Sequence, residues 1–421
     1  MSAHSLVGIG NLKAVTFRFI HTADIHLDSP LVALALRNSD LAQNVGVATR
    51  TALTRIVDLC IAETVDALLI AGDLWDGSLT SAKTPRFLKQ ELMRLGEAGV
   101  RCFIIRGNHD AVSRVTRELD PPAGTVLFGS RARTETFEVG GHVIAVHGLS
   151  FAEPTMTGSL LPQYPVAVVG AFNIGMMHTS LNGSAKHDVY APCSLAELDA
   201  QGYDYWALGH IHRRSEHEGR ATVVMPGIPQ GRDIGEAGKC SVSLVTVQDD
   251  ASVTVEQRSV AELRFDRLLI DMSNATEWSE AVEMLEKALG AVARLPRPET
   301  HLVLRPTLFG ATPLAWRIAR DLDRLTEEAH SVAASLGGVW IDKVENATTS
   351  TDGISAASQL PADLVTIVQA LSLDPAILNA VADAARELQR DLPPDLRDRL
   401  GGDEAAFAAA CSALLQTGSA Q

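Results

Sequence analysis

Five times before residue 213, this chain runs an apolar stretch straight into a cluster of carboxylate, imidazole and amide side chains. The clusters are Asp24-x-His26, Gly72-Asp73, Gly107-Asn108-His109-Asp110, His178 and Gly209-His210-x-His212. The stretches before them are segment 15–21, DALLIAGD (66–73), RCFIIRGNHD (101–110), VVGAFNIGMMHTS and YDYWALGHIH. Each reads as a strand. Between the first three lie helical patterns: Leu53, Ile56, Val57, Cys60 and Ile61 within residues 45–63, then Leu88, Leu92 and Leu95, stopped by Gly99. Strand and helix in alternation argue for parallel βαβ units. In open α/β sheets the ligand crevice lies beyond the carboxyl ends of the strands, so all five clusters can converge on one place.

From about residue 134 the texture changes. TFEV–GG–HVIAV reads as a hairpin turning on Gly140-Gly141, and ATVVM with the pair CSVSLVTV and SVTVEQRSV reads as antiparallel. Residues 15–260 are therefore expected to form one α/β domain of two stacked mixed sheets flanked by helices, after an N-terminal extension (1–14) to which no role is assigned. Residues 265–345 read β–α–β–α–β, a small separate α/β domain whose first helix carries Trp278, Ala281, Val282, Leu285 and Leu289 on one face. Residues 346–360 have linker composition, and 361–421 form an Ala/Leu-rich helical tail broken at Pro393-Pro394.

The formal net charge is -15, so the whole molecule does not attract phosphate backbones. The acid is uneven: residues 1–120 hold thirteen basic and thirteen acidic side chains, and 350–421 hold four Arg, no Lys and ten carboxylates. Nucleic acid, if bound, is expected on the first part. Five scattered cysteines (Cys60, Cys102, Cys193, Cys240, Cys411) without a CxxC pair read as small buried hydrophobes of a reducing compartment. No signal peptide opens the chain, and the apolar stretch 165–177 is too short to span a bilayer. A cytoplasmic protein with no membrane partner is expected.

The clustered donors are nitrogen and oxygen, a set suited to manganese, iron or zinc, and the lack of cysteine argues against a structural zinc. Two ions about 3.5–4 Å apart can hold phosphate oxygens, activate a water and stabilise a leaving oxygen. Asp73 is the candidate carboxylate between two such ions, and His109 the candidate imidazole for the leaving group. Each cluster alone has an ordinary structural reading: a loop, a turn, a satisfied core histidine. Five in order, each after a strand, do not.

The order D-x-H, G-D, G-N-H, H, G-H-x-H, present as ADIH, GDLWD, GNHD, MMHTS and GHIH, resembles the calcineurin-like metallophosphoesterases. Within that superfamily, FRFIHTADIHLDSPL, VHGLSF and MPGIPQGRDIGE are most similar to the nuclease subunit of SbcCD and to YhaO-type DNA repair exonucleases. The resemblance implies one metal on Asp24, His26, Asp73 and His212, and a second on Asp73, Asn108, His178 and His210. It implies His109 as the catalytic imidazole that is not a ligand, with Asp110 supporting it from behind. The implied ions are two divalent metals, manganese first, with iron, zinc and magnesium as alternatives. The segment 265–345 matches the family's capping domain in position. The chain departs from the pattern at Asp76, where some family nucleases carry His, and at Asp233, where the YhaO-like group suggests His. Neither gains a role. His147 and His21 read as structural, whereas Arg106, Arg213 and Arg214 are open between phosphate contact and solvated turn.

The leading expectation is a DNA repair exonuclease or endonuclease. The alternative is a small-molecule (cyclic) nucleotide phosphodiesterase or phosphatase, and a third reading is a binding subunit without activity. The resemblance further implies DNA as partner, an ABC/SMC-like ATPase docked through 361–421, and a homodimer for which helix 83–98 is the candidate surface.

Overall fold

The computed structural model describes residues 15–29, 47–75, 83–111, 121–182 and 189–351. They form two compact units, one of residues up to Asp266 with Pro296–Val303, the other of Arg267–Leu295 and the residues from Leu304.

In the first unit, β1 (Val15–Thr22), β2 (Ala67–Ala71), β3 (Arg101–Ile105) and β4 (Thr125–Leu127) run parallel. On the far side of β1, β11 (Val242–Gln248) and β12 (Val253–Arg258) add antiparallel strands, giving the order β12-β11-β1-β2-β3-β4. The second sheet is β5-β6-β7-β8-β10-β9, built from β5 (Arg133–Val139), β6 (His142–Gly148), β7 (Ala171–His178), β8 (Tyr205–Gly209), β9 (Ser215–Glu218) and β10 (Thr222–Met225). Its β6, β7, β8 and β10 are parallel, and its two edges are antiparallel. The expected hairpin is there: Val139 pairs with His142, and both turn glycines, Gly140 and Gly141, take positive φ (58° and 87°), which suits a two-residue primed turn.

Period-two alternation sorts the side chains. Phe17, Phe19, Ala67, Leu69, Ala71 and Phe103 face Ile144, Val146, Ile174, Met176, Tyr205 and Ala207 across the sandwich. The alternate residues Ile20, Leu68, Ile70 and Ile104 pack under α1 (Ala48–Ala62) and α2 (Lys83–Glu97) through Leu53, Ile56, Val57, Cys60, Leu88, Leu92 and Leu95. Ile61, expected on that buried face, is 37% exposed because it falls a further 100° round the helix from Cys60. On the outer side of the second sheet, Met177, Trp206, Leu208 and Val223 pack with Leu198 of α4 (Leu195–Ala200). The strand ATVVM differs from its antiparallel reading: β10 is antiparallel to β9 but parallel to β8, a crossover that residues 210–221 make possible.

The second unit carries the later parts of β13 (Leu263–Asp271) and β14 (His301–Ala311), then β15 (Val339–Ile341) and β16 (Glu345–Thr349), with α5 (Trp278–Ala293), α6 (Ala315–Arg320) and α7 (Leu322–Leu336). Ala281, Leu285 and Leu289 of α5 and Leu325, Ala329 and Ala333 of α7 are its buried helix positions. Residues 346–349, read as linker, are strand: β16 pairs in parallel with Thr307–Ala311 of β14. The remainder of that segment beyond 351, the tail 361–421, Cys411, the extension 1–14 and Asp76 lie outside the described residues.

Candidate metal centre

The five clusters do sit at strand ends: three close β1, β2 and β3 of one sheet, two close β7 and β8 of the other. The two sheets thus bring their carboxyl ends to one place. The loops there are held in conformations that L-residues rarely take, with φ of 52° at Asp24, 45° at His26, 49° at Asp73 and 102° at His210. Such strain gathers where surrounding structure over-determines it. The loops after β1 and β2 bond to each other, Asp24 N to Gly72 O (2.9 Å), His26 N to Asp73 O (3.0 Å) and Leu27 N to Leu74 O (2.9 Å). Asp110 ties in the third loop, because its carboxylate accepts from the main-chain N–H of Leu74 (3.1 Å), Trp75 (3.0 Å) and Gly107 (3.0 Å). These bonds make Asp110 a brace between loops. The glycines of the motifs are explained by crowding: a Cβ on Gly72, at φ +96°, would strike the His178 ring, and one on Gly107 would strike Asp73 and His178.

Three sets of side chains bring ligand atoms within 4.8 Å of one another: Asp24, His26 and His212; Asp24, Asp73 and His178; His26, Asp73 and His109. Asp73 lies between the groups, with Oδ2 3.9 Å from His26 Nε2 and 3.4 Å from His178 Nε2. Asn108 Oδ1 is 3.0 Å from the same His178 nitrogen. The His210 main-chain N–H donates to both oxygens of Asp24 (3.1 and 3.0 Å), and its ring lies 5.2 Å from that of His178. His109 is half-buried, fixed by its N–H to Asp73 Oδ1 (3.0 Å), with its ring 4.9 Å from that of His26. All nine expected site residues therefore lie at these strand ends, although the three sets include His109, expected as a non-ligand, and do not include His210, expected as a ligand.

The tautomers show that this donor set fits cations. His178 Nδ1 faces the carbonyl of Ala71 at 3.0 Å and must donate to it. In the neutral ring that leaves the Nε2 lone pair aimed at two oxygens, Asp73 Oδ2 and Asn108 Oδ1. Likewise the Glu236 carboxylate takes the His212 Nδ1 proton (2.8 Å), so His212 turns a lone pair toward His26 Nε2 at 3.3 Å. Converging lone pairs repel unless a positive charge sits among them. Without metal, protons partly substitute. Burial opposes charge on His178, but the Asp73 carboxylate outweighs it and raises His178 to about 9. For Asp73, burial is outweighed by His178, His26 and His109, which hold it well below the usual range. Burial raises Asp24 to about 6, the nearby Asp73 adding to it, and burial takes His26 down to about 3.

Glu236 closes the family-like stretch MPGIPQGRDIGE, which gave it no role. It is braced by Arg232, whose guanidinium Nη2 donates to Oε1 (2.7 Å) and whose main-chain N–H donates to Oε2 (2.8 Å). The residues read as structural are so: His21 bonds the Tyr205 hydroxyl (3.0 Å) and Leu208 carbonyl (3.0 Å), and His147 lies between Thr134 Oγ1 (2.8 Å) and Asn173 Oδ1 (3.0 Å). Asp233 caps the short turn 234–236 through Gly235 N. Arg214 is spent on Ser243 and Glu216.

Two stacked mixed sheets with a buried carboxylate–imidazole centre at their carboxyl ends define a metallophosphoesterase, and this chain belongs to the calcineurin-like phosphoesterases, whose family pattern residues 17–214 match. Residues 265–349 match the middle domain of the metallophosphoesterase YhaO, which takes in β16 as well as the expected segment 265–345. The chain is 30% identical over 301 residues to the uncharacterized metallophosphoesterase YhaO of Bacillus subtilis, covering 70% of this chain and 72% of that one. It is 23% identical to the DNA double-strand break repair protein Mre11 of Methanopyrus kandleri (90% and 85% of the two chains). To a component of the nuclease SbcCD of Bacillus subtilis it is 25% identical, over 57% of this chain and 68% of that one.

Proposed function

We propose that this chain is a two-metal phosphodiesterase that cuts DNA, a repair exonuclease or endonuclease working with manganese. The observation that carries the reading is Asp73 Oδ2, placed between the imidazole nitrogens of two ligand groups. Asp24, His26, Asp73 and His212 would hold one ion; Asp73, Asn108, His178 and His210 the other. When bound, the metal pair lowers the pKa of a water and neutralises phosphoryl charge. The protein's own part is orientation. Asp110 fixes the loops, the Ala71 carbonyl and the Glu236 carboxylate fix two tautomers, and Asn108 and His109 sit on one short helix, α3 (Asn108–Ala111), after β3. His109, half-buried, would hold a proton for the leaving oxygen.

The names of the Mre11 and SbcCD relatives support DNA as substrate. An ABC-type ATPase docked through 361–421, a homodimer and a cytoplasmic location belong to the same proposal. Among the described residues no helix is long and apolar enough to cross a membrane. The test gives the full chain and its Asp73→Asn variant a labelled linear duplex and, separately, a bis-aryl phosphodiester, with manganese. Shortening of DNA by the parent alone, lost with chelator, is the expected result. Hydrolysis of the small diester with intact DNA, also after an ATPase partner is supplied, would move the reading to small-molecule diesters.

A further inference from the structure

Beside the metal centre lies a half-open groove of about 660 Å³ whose lining includes His212, Arg213, Arg214, Gly227, Glu236 and Lys239. One wall is His212, the ligand whose Nε2 faces His26. The charges in it are unevenly committed. Glu236 is spent on His212 and on the Arg232 fork, and Arg214 on Ser243 and Glu216. Arg213 and Lys239 are exposed, line the groove, and form no ion pair among the described residues. In a chain of net charge -15, two uncommitted cations in a groove that starts at a metal ligand form a local field opposite to that of the molecule.

We infer that this groove carries the DNA strand on one side of the cut, with Arg213 and Lys239 each meeting a backbone phosphate. The inference rests on the nuclease reading and deepens it. Phosphates next to the scissile one lie beyond the metal centre, and a strand needs cations spaced along its path rather than a closed pocket. The floor supplies shape: Pro226 and Gly227 turn tightly under His212 and Arg214, where a Cβ on Gly227 would meet the His212 carbonyl at 2.9 Å. Among the described lining residues there is no Phe, Tyr or Trp for bases to stack on, so the groove would track phosphates and read no bases.

The test is binding, separated from cleavage. A labelled phosphorothioate DNA strand of about twelve nucleotides, and an RNA of the same sequence, are titrated with the full manganese-loaded chain over a range of salt. The double variant Arg213→Ala/Lys239→Ala should weaken DNA binding at least roughly tenfold and flatten the log–log salt slope by about 1.4, two contacts at about 0.7 each. Arg213→Lys and Lys239→Arg should keep the slope, and both positions are exposed, so unfolding temperatures should match. Unchanged affinity and slope in the double variant would overturn the groove and leave the nuclease reading standing. No DNA binding by the parent chain, or binding of RNA alone, would likewise overturn the groove, while the nuclease reading itself stands or falls on cleavage with the ATPase partner supplied.

Discussion

At the scale of single residues, the centre depends on side chains that are not ligands. Glu236 sets the His212 tautomer from 2.8 Å, and carboxylates in that position hold the ring and raise its basicity. Glu236→Gln should therefore weaken manganese binding about 10–100-fold, read by calorimetric titration, with Glu236→Asp losing less. Gly72 makes a different demand. At φ +96° with the His178 ring against it, Gly72→Ala should cost at least about 1–3 kcal/mol in denaturant unfolding and displace His178 from Asp73. The candidate ligands could be picked out in the sequence because each sits in a short polar motif after an apolar run. Glu236 stood inside the family-like stretch MPGIPQGRDIGE but gained no role from it, since a carboxylate in a turn twenty-four residues past His212 ordinarily reads as solvated. The partners of Asp110 escaped for the same reason: three main-chain amides leave no trace in side-chain chemistry.

At the scale of elements, His21 ties the two sheets together, since it stands on β1 and bonds Tyr205 and Leu208 of β8. Burial lowers it to about 3, against an ordinary value of 6.5. The unfolded chain therefore takes up a proton below pH 6.5 that the folded chain refuses. Its contribution to stability is complete above 6.5 and is lost as pH falls toward 3, by up to about 1.4 kcal/mol per pH unit. Denaturant midpoints of the metal-free chain should fall across that window, and the His21 ring should show no titration in NMR above about pH 4. The central strands and the Gly140-Gly141 hairpin were readable, because buried strands are near-continuous apolar runs and turn glycines mark their ends. Edges were not. β9 is SEHE, and β16 is ENATT, whose composition reads as linker until Thr307–Ala311 of β14 pairs with it. Such polar strands exist only through their partners.

At the scale of the whole molecule, charge and metal are coupled. Asp24 and Asp73 are both about 1% exposed, and two buried carboxylates at one site oppose folding unless cations compensate them. Manganese at about a hundred times its dissociation constant should thus stabilise the chain by roughly 2.7 kcal/mol for each ion bound, visible as a raised unfolding temperature that chelator reverses. The Asp73→Asn variant should gain much less. The β–α–β–α–β pattern of 265–345 and the helical periodicity of 278–289 are sequence features, whereas nothing in the sequence marks Pro296–Val303 as part of the first unit.

The most direct measurement is the number of manganese ions bound per chain, by calorimetric titration of the metal-free protein and its Asp73→Asn variant. Two ions in the parent and at most one in the variant are predicted, because Asp73 stands between both ligand groups. A single ion in the parent, or two retained without the Asp73 carboxylate, would contradict a two-metal centre built on that residue.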